Sequence, residues 1–176
     1  TDCTFYYNTI GVELDADNSD YWQFNGCSFF GASGSYGINC KRSGILMLNQ
    51  CFGGGGTLLI TSGTVRDSIT LLACQYEQGN TMLTIADTMA TEQTYRPIKM
   101  IDCVVESPVH VLSNCHLIIE GGRWVDNLEC TATGAVFDVY STACVPSTVW
   151  NIAAGSSIRN FITHGLDMPI GVRGQI

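Results

Sequence analysis

Two glutamates are the residues in this sequence whose type and spacing best fit catalytic chemistry. Glu77 and Glu106 each stand three residues after a cysteine, Cys74 and Cys103. If those cysteines are equivalent positions of neighbouring strands, the two carboxylates lie about 4.7–4.9 Å apart. Cleavage of a glycosidic bond by acid and base catalysis uses such a pair. The alternative, which positions at strand ends favour, is two solvated glutamates without a catalytic role.

The cysteines themselves define the repeat that would bring these glutamates together. Five of the nine recur at spacings of 24, 24, 23 and 29 residues, and they are Cys3, Cys27, Cys51, Cys74 and Cys103. A sixth copy over residues 119–124 has Gly122 at the cysteine position. A small apolar residue that returns at near-constant spacing is typical of stacked structural repeats.

The residues around each cysteine alternate as they do in a strand with one buried face. The position two after the cysteine is mostly apolar, with Phe5, Phe29, Gly53, Tyr76, Val105 and Trp124. Alternation fails toward the position three before it, which holds Phe24, Leu48, Leu71, Met100 and Ile119. Either the chain bends between these two columns, or the earlier column forms an apolar stripe on the outer surface.

A second apolar segment follows each cysteine strand across a link rich in Gly, Ser or Asn. These segments are 10–14, 36–40, 57–60, 82–85 and 109–112. No stretch has a sustained helical period. We therefore predict an all-β fold, a right-handed parallel β-helix with coils of about 24 residues and no long helices, because right-handed crossovers are the default for parallel strands. A β-sandwich would also accommodate short strands, but it gives no reason for one cysteine column.

The repeat predicts two regions along the chain. Coils are expected over residues 1–125, and residues 126–176 are expected to form an irregular final coil, or a capping or oligomerisation segment, because Cys130 and Cys144 leave the cysteine column. A solenoid needs such a cap at an open end. Since the chain starts at Thr1 rather than at a methionine, we also expect it to be a fragment or a processed product.

Aromatic and basic residues supply the candidate contacts for a ligand. Trp22 has the opposite parity from Cys27 and is expected to face outward, where its ring could stack on a sugar. Phe24 and Phe30 share this parity, and together the three rings could instead form an apolar stripe at an interface between three subunits, which we favour.

The longest cysteine spacing contains an additional segment, 87–96, which we expect to project from the stack as a loop or one helical turn. Tyr95 and Arg96 on this segment are further candidate contacts for a glycan, and an ordinary exposed loop is the alternative.

The column cysteines are expected to be free thiols packed in the core. Their side chains would point inward in parallel, which is poor geometry for a disulfide, and a buried thiol behaves as a small hydrophobe. Free thiols indicate assembly in a reducing cytoplasm. No metal or other cofactor is expected, because no C-x-x-C pair occurs and His110, Cys115 and His116 lack zinc-finger spacing. The segment 15–20 fails the pattern of an EF-hand calcium loop. We expect an acidic turn there, and a weak calcium site is the alternative.

Composition excludes several classes of partner. The net charge is −8, and the 8 basic residues do not cluster, so binding to nucleic acid or to an anionic membrane is not expected. No apolar run approaches the ~20 residues of a membrane-spanning helix, and no signal-peptide pattern is present.

Three segments carry a family resemblance: FNGCSFFG, MLNQCFGGG and MIDCVVES, at residues 24–31, 47–55 and 100–107. They resemble coil strands of the right-handed β-helices of bacteriophage tailspikes and tail fibres, and of the wider pectate-lyase-like superfamily. The resemblance covers about residues 1–125. It implies a homotrimeric viral tail protein, assembled in the host cytoplasm, that binds a bacterial surface glycan such as capsule or lipopolysaccharide O-antigen.

Three functions stay open at this point. The first is a structural β-helix that binds surface polysaccharide, with Trp22, Tyr95 and Arg96 as glycan contacts. The second is an endoglycosidase or lyase with Glu77 and Glu106 as catalytic residues. The third is a shaft that binds no ligand. Fold alone does not decide among them.

Overall fold

A computed structural model describes residues 1–15, 21–42, 44–61, 68–77, 80–86, 97–145 and 147–163. Within these ranges the regular structure is β-strand throughout, and no helix in them is long and apolar enough to cross a membrane. In chain order the strands are β1 (Thr4–Tyr7), β2 (Ile10–Asp15), β3 (Tyr21–Asn25), β4 (Ser28–Gly31), β5 (Tyr36–Arg42), β6 (Ile45–Asn49), β7 (Phe52–Gly54), β8 (Thr57–Thr61), β9 (Ile69–Leu72), β10 (Gln75–Glu77), β11 (Thr81–Ile85), β12 (Ile98–Ile101), β13 (Val104–Glu106), β14 (Val109–Val111), β15 (His116–Glu120), β16 (Arg123–Trp124), β17 (Leu128–Cys130), β18 (Val136–Cys144), β19 (Trp150–Ile152) and β20 (Ser157–Thr163).

The strands form three parallel ladders, to which each coil contributes one strand. Ladder 1 contains β1, β4, β7, β10, β13, β16 and the end of β18. Ladder 2 contains β2, β5, β8, β11, β14, β17 and β19, and ladder 3 contains β3, β6, β9, β12, β15, β18 and β20. Phe5 pairs with Phe29, and Phe29 pairs with Gly53, so that each of these coils is 24 residues long. The predicted all-β parallel solenoid is confirmed.

A left-handed residue before each column position explains the break in alternation. Their φ angles lie between 49° and 65°, and the residues are Asp2, Gly26, Gln50, Ala73, Asp102, Gly121 and Ser141. This bend connects ladder 3 to ladder 1 and lets side chains on both sides of it point inward. Leu48, Leu71, Met100 and Ile119 are accordingly buried. Of the two alternatives, the bend is therefore confirmed, and an apolar stripe on the outer surface at the position three before the cysteine is excluded.

The column cysteines lie in the core beneath this bend. All nine cysteines are free, and of the column only Cys3, in the first coil, is exposed. Three of the thiols donate to the carbonyl three residues before the cysteine of the preceding coil: Cys51 to Phe24, Cys74 to Leu48 and Cys103 to Leu71, each at 3.4 Å. The hydrogen bond with the Cys103 thiol, together with burial, raises the pKa of Cys74 to about 12. The predicted ladder of packed free thiols is confirmed for Cys27, Cys51, Cys74 and Cys103, which are all buried.

Aromatic rings fill the core beside ladder 1. Phe5 stacks on Phe29 with ring centroids 4.9 Å apart. Gly53 follows Phe29 in the same column, and a Cβ there would lie 1.9 Å from the Phe29 carbonyl oxygen. Tyr76 is the next residue of the column. Because Gly53 places no side chain between Tyr76 and Phe29, the Tyr76 ring extends along the solenoid axis toward the earlier coils. Its hydroxyl donates to the Gly56 carbonyl at 2.9 Å.

The last described strands extend the same three ladders through residue 163. Trp124 and Trp150 pack edge to face with centroids 5.0 Å apart, and Phe161 packs on Trp150 at 5.8 Å. These rings fill the core near the end of the described stack. Residues 164–176 lie outside the described ranges.

Candidate functional site

One column on the outer surface of ladder 1 gathers the residues best suited to bind a ligand. Its members pair in register on five successive coils, in the order Tyr6, Phe30, Gly54, Glu77 and Glu106. Because neighbouring strands lie about 4.7–4.9 Å apart, these residues form a line of about 19 Å. We call this line the outer column. Aromatic rings occupy one end, carboxylates occupy the other, and a glycine separates them.

The aromatic end of the outer column is unusually open to solvent. Tyr6 is 81% exposed, and its ring stacks on Phe30 with centroids 5.7 Å apart. Phe52, from the neighbouring outward position, packs edge-on against Phe30 at 5.9 Å and is also exposed. Exposed aromatic rings in a cluster, rather than singly, are typical of an interaction site.

A cavity of about 390 Å³ adjoins the two stacked rings, and its lining includes Tyr6, Asn8, Phe30 and Gly54. It thus combines aromatic surface with an amide side chain and with backbone groups of the links between coils. Ligand sites in proteins are usually concave, mostly apolar and supplied with a few polar groups that orient the ligand. The cavity lies at the aromatic end of the outer column.

At the other end, Glu77 and Glu106 are register partners on β10 and β13. The predicted juxtaposition on neighbouring coils is therefore confirmed, while a catalytic role stays a prediction. Glu77 is exposed and Glu106 is half-buried. The side-chain amide of Gln75 donates to Glu77 Oε1 and restrains that carboxylate. Gly54 contributes no side chain between Phe30 and Glu77, and a Cβ there would lie 2.5 Å from the Glu77 carbonyl oxygen.

Trp22 does not face outward as its parity predicted. It pairs with Leu46, a fully buried residue of ladder 3, and is 41% exposed because β3 is the edge strand of that ladder among the described residues. The left-handed bend at Gly26 resets the alternation between Trp22 and Cys27. Counting odd and even positions from Cys27 therefore assigned Trp22 to the wrong face.

The other two rings of the expected stripe separate. Phe24 also faces the core, packing edge-on against Phe5 at 6.4 Å and Phe29 at 5.9 Å, whereas Phe30 faces outward as expected. The predicted contacts Tyr95 and Arg96, and the projecting segment 87–96 that carries them, lie outside the described residues.

A polar cluster on the outer face of ladder 3 was not predicted from the sequence. Asp138 Oδ2 accepts hydrogen bonds from His116 Nε2 at 2.7 Å and from Arg159 Nη2 at 2.6 Å. Its Oδ1 accepts from Asn160 Nδ2 at 2.8 Å, and the same amide nitrogen donates to the Tyr140 hydroxyl at 3.0 Å. Burial opposes ionisation of Asp138, but these hydrogen bonds outweigh it and lower the pKa of its carboxyl.

In the described part of the chain, no group of three or more His, Cys, Asp or Glu side chains is arranged to hold a metal ion. Comparisons with protein-family models, with curated proteins and with solved structures found no match. The chain is therefore placed by its architecture, as a parallel β-solenoid with an outer column of aromatic and acidic residues.

Proposed function

We propose that this chain is a glycan-binding segment of a trimeric β-helical protein of the bacteriophage tailspike or tail-fibre type, and that its outer column contacts bacterial surface polysaccharide. The observation that supports this most is the exposed ring stack of Tyr6 and Phe30 beside the adjoining cavity. An aromatic face packs on the apolar face of a sugar, and nearby polar groups orient its hydroxyls.

The carboxylate end of the outer column complements this platform. Carboxylate oxygens only accept hydrogen bonds, so Glu77 and Glu106 would bind sugar hydroxyls as acceptors. A linear polysaccharide that lies along the solenoid axis would meet the rings first, pass Gly54, which carries no side chain, and reach the carboxylates. The stacking of the coils thus supplies an extended site without a deep cleft.

Association into a trimer is part of the same proposal. Tyr21 and Ile45 pair in register on the outer face of ladder 3, and both are exposed. Large exposed apolar side chains grouped in this way are typical of an interaction site. Molar mass from light scattering tests this part, with three chains expected and a monomer contradicting it.

The binding test uses a panel of capsule and O-antigen oligosaccharides. We expect at least one to bind, and Tyr6→Ala combined with Phe30→Ala to weaken its affinity at least tenfold, since buried aromatic contacts dominate binding energy. Leu112→Ala removes another exposed apolar side chain, on the ladder 2 side of the molecule, and serves as the matched control. If the double variant binds as tightly as the wild type, the outer column is not the site.

A second candidate, a depolymerase, is favoured by the register pairing of Glu77 with Glu106. Their strand spacing of about 4.7–4.9 Å is close to the ~5–5.5 Å between the carboxyls of retaining glycosidases. Release of reducing ends from the bound polysaccharide tests it. Glu77→Gln and Glu106→Gln should each abolish cleavage, while Glu120→Gln, at an exposed glutamate of ladder 3, should not. Binding without cleavage would leave the first proposal and remove this one.

A further inference from the structure

Asp138 stands at an outward-facing strand position, where a charged side chain would normally be exposed to solvent. It lies on the outer face of ladder 3, between the inward-facing residues Phe137 and Val139, yet it is only 4% exposed. A buried carboxylate is retained only when hydrogen-bond donors and opposite charge surround it. The side chains that cover Asp138 are therefore held in place by its charge.

A β-bulge brings two of these side chains together. Phe137 pairs with Ile158, but Asp138 pairs with Asn160, so Arg159 is the additional residue of the bulge. Successive residues of a regular strand point to opposite faces. Here Arg159 and Asn160 both reach Asp138. Bulges commonly redirect a side chain in this way beside functional sites.

The proton positions follow from the acceptors. Because the Asp138 carboxylate can only accept, the proton of the 2.7 Å contact belongs to His116 Nε2. Arg159 Nη2 likewise donates to Asp138 rather than to His116, although it lies 3.0 Å from the imidazole nitrogen. Asp138 thus fixes the orientation of both the arginine and the histidine.

Hydrogen-bonding capacity remains on the side of the cluster that faces solvent. Arg159 is 53% exposed at its side chain, and among the described residues its guanidinium donates only through Nη2, to Asp138. The Tyr140 hydroxyl accepts from Asn160, and its own proton has no acceptor within the same ranges. Two guanidinium nitrogens and a phenol proton are therefore offered to a ligand that carries acceptor oxygens.

We infer that Arg159, held by Asp138 and flanked by Tyr140, binds a carboxylate-bearing sugar residue on the outer face of ladder 3. An arginine whose orientation is already fixed loses little conformational freedom when it binds a carboxylate, and arginine matches that group better than lysine does. The choice of a sugar acid rests on the proposed glycan binding, but the site itself lies on a different ladder from the outer column.

The neighbouring carboxylate of Glu120 should weaken the binding of an anionic ligand, and this gives a second variant with which to test the site. Glu120 is exposed and pairs in register with Tyr140, about one strand spacing away. Its carboxylate repels an anionic ligand across partly screened solvent. Removal of Arg159 and removal of the Glu120 charge should therefore change affinity in opposite directions. A purely structural network would not give that result.

The experiment titrates the protein with sodium glucuronate and with glucose, two probes that share a ring and differ in the carboxylate. The NMR signal of the Arg159 side-chain Nε–H reports binding. We expect a saturable shift with glucuronate and none with glucose. Arg159→Gln should lower glucuronate affinity at least tenfold, measured on neighbouring backbone signals, and Glu120→Gln should raise it about two- to fivefold. Arg123→Gln, at an exposed arginine of ladder 1, should change nothing.

Equal shifts with glucose, or unchanged affinity in Arg159→Gln, would overturn the inference. If Arg159→Gln proves unstable, the Glu120→Gln comparison decides the matter alone, because that side chain is exposed. The variant Tyr6→Ala separates this site from the outer column. It should leave glucuronate binding intact, so failure of one proposal does not imply failure of the other.

Discussion

The hydroxyl of Tyr7 lies 3.3 Å from the hydroxyl of Tyr76, although 69 residues separate them in the chain. The two rings come from β1 and β10, the first and fourth strands of ladder 1. They meet because the register partner of each is a glycine, Gly31 for Tyr7 and Gly53 for Tyr76, and a Cβ at Gly31 would lie 2.2 Å from the Tyr7 ring. The contact joins the first coil to the fourth through the interior.

Replacing Tyr76 with phenylalanine should destabilise the fold. The hydroxyl donates to the Gly56 carbonyl and accepts from Tyr7. Its removal takes this acceptor from the buried Tyr7 hydroxyl and leaves the carbonyl with only the longer hydrogen bond from the Asn80 N–H, at 3.2 Å. We expect the free energy of unfolding in urea to fall by about 1–3 kcal/mol. Tyr36→Phe, at a tyrosine of ladder 2, is the comparison. An unchanged urea midpoint in Tyr76→Phe would mean that the hydroxyl contact contributes nothing.

Stability should decline in alkali because of the same pair. Burial raises the pKa of Tyr7 above its ordinary value of 10.0, and burial together with the Tyr7 contact raises that of Tyr76. A raised pKa in the folded state means that these two hydroxyls hold more protons in the native protein than in the unfolded chain above pH 10, so the contribution of the pair to stability is full below pH 10 and is lost above it. Urea unfolding between about pH 8 and 12 measures this slope. Buried thiols such as Cys74, whose pKa is raised to about 12, add a slope of the same sign. The double variant Tyr7→Phe and Tyr76→Phe should therefore reduce the slope above pH 10 without abolishing it, and an equal slope would exclude the pair as a contributor.

The pH dependence of stability that comes from Asp138 should have the opposite sign, with stability lost in acid. Although burial opposes its charge, the hydrogen bonds from Arg159, Asn160 and His116 lower its folded-state pKa below the ordinary 3.8. The ionised carboxylate therefore contributes stability above that value, and the contribution is lost as the pH falls through the lowered pKa. Asp138→Asn should reduce stability at neutral pH and weaken the pH dependence below about pH 4. Identical acid unfolding curves would show that the network does not contribute to stability.

Ala73 provides a test of the left-handed bend. Its φ is 49°, which costs a residue with a Cβ about 1–2 kcal/mol, while glycine adopts it freely but loses more entropy on folding. Ala73→Gly should therefore stabilise the fold by about 0.5–1 kcal/mol. Ala143→Gly, in the strand β18, should destabilise it by a similar amount. Destabilisation of both variants alike would argue against strain at the bend.

The sequence predicted features that depend on the repeat alone. Cysteine spacing was sufficient to predict the stacked coils and the buried thiols. It was also sufficient to predict the pairing of Glu77 with Glu106, because residues at the same distance after the cysteine pair in register on neighbouring coils. Trp22 was assigned to the wrong face because parity cannot be carried across a left-handed residue, and such residues here include Gln50 and Asp102 as well as glycine.

The Asp138 cluster could not have been found in the same way. Its members come from three strands, and the pairing of β18 with β20 contains two register shifts. Residue spacing alone therefore gives no indication that Arg159 and Asn160 both reach one carboxylate.

The most direct test of glycan binding at the outer column is a crystal structure of the protein with the tightest-binding oligosaccharide of the panel. We predict a sugar ring packed on Tyr6 or Phe30, with the chain of sugars directed along the axis toward Glu77. An oligosaccharide bound on ladder 2, or between subunits away from the outer column, would contradict it.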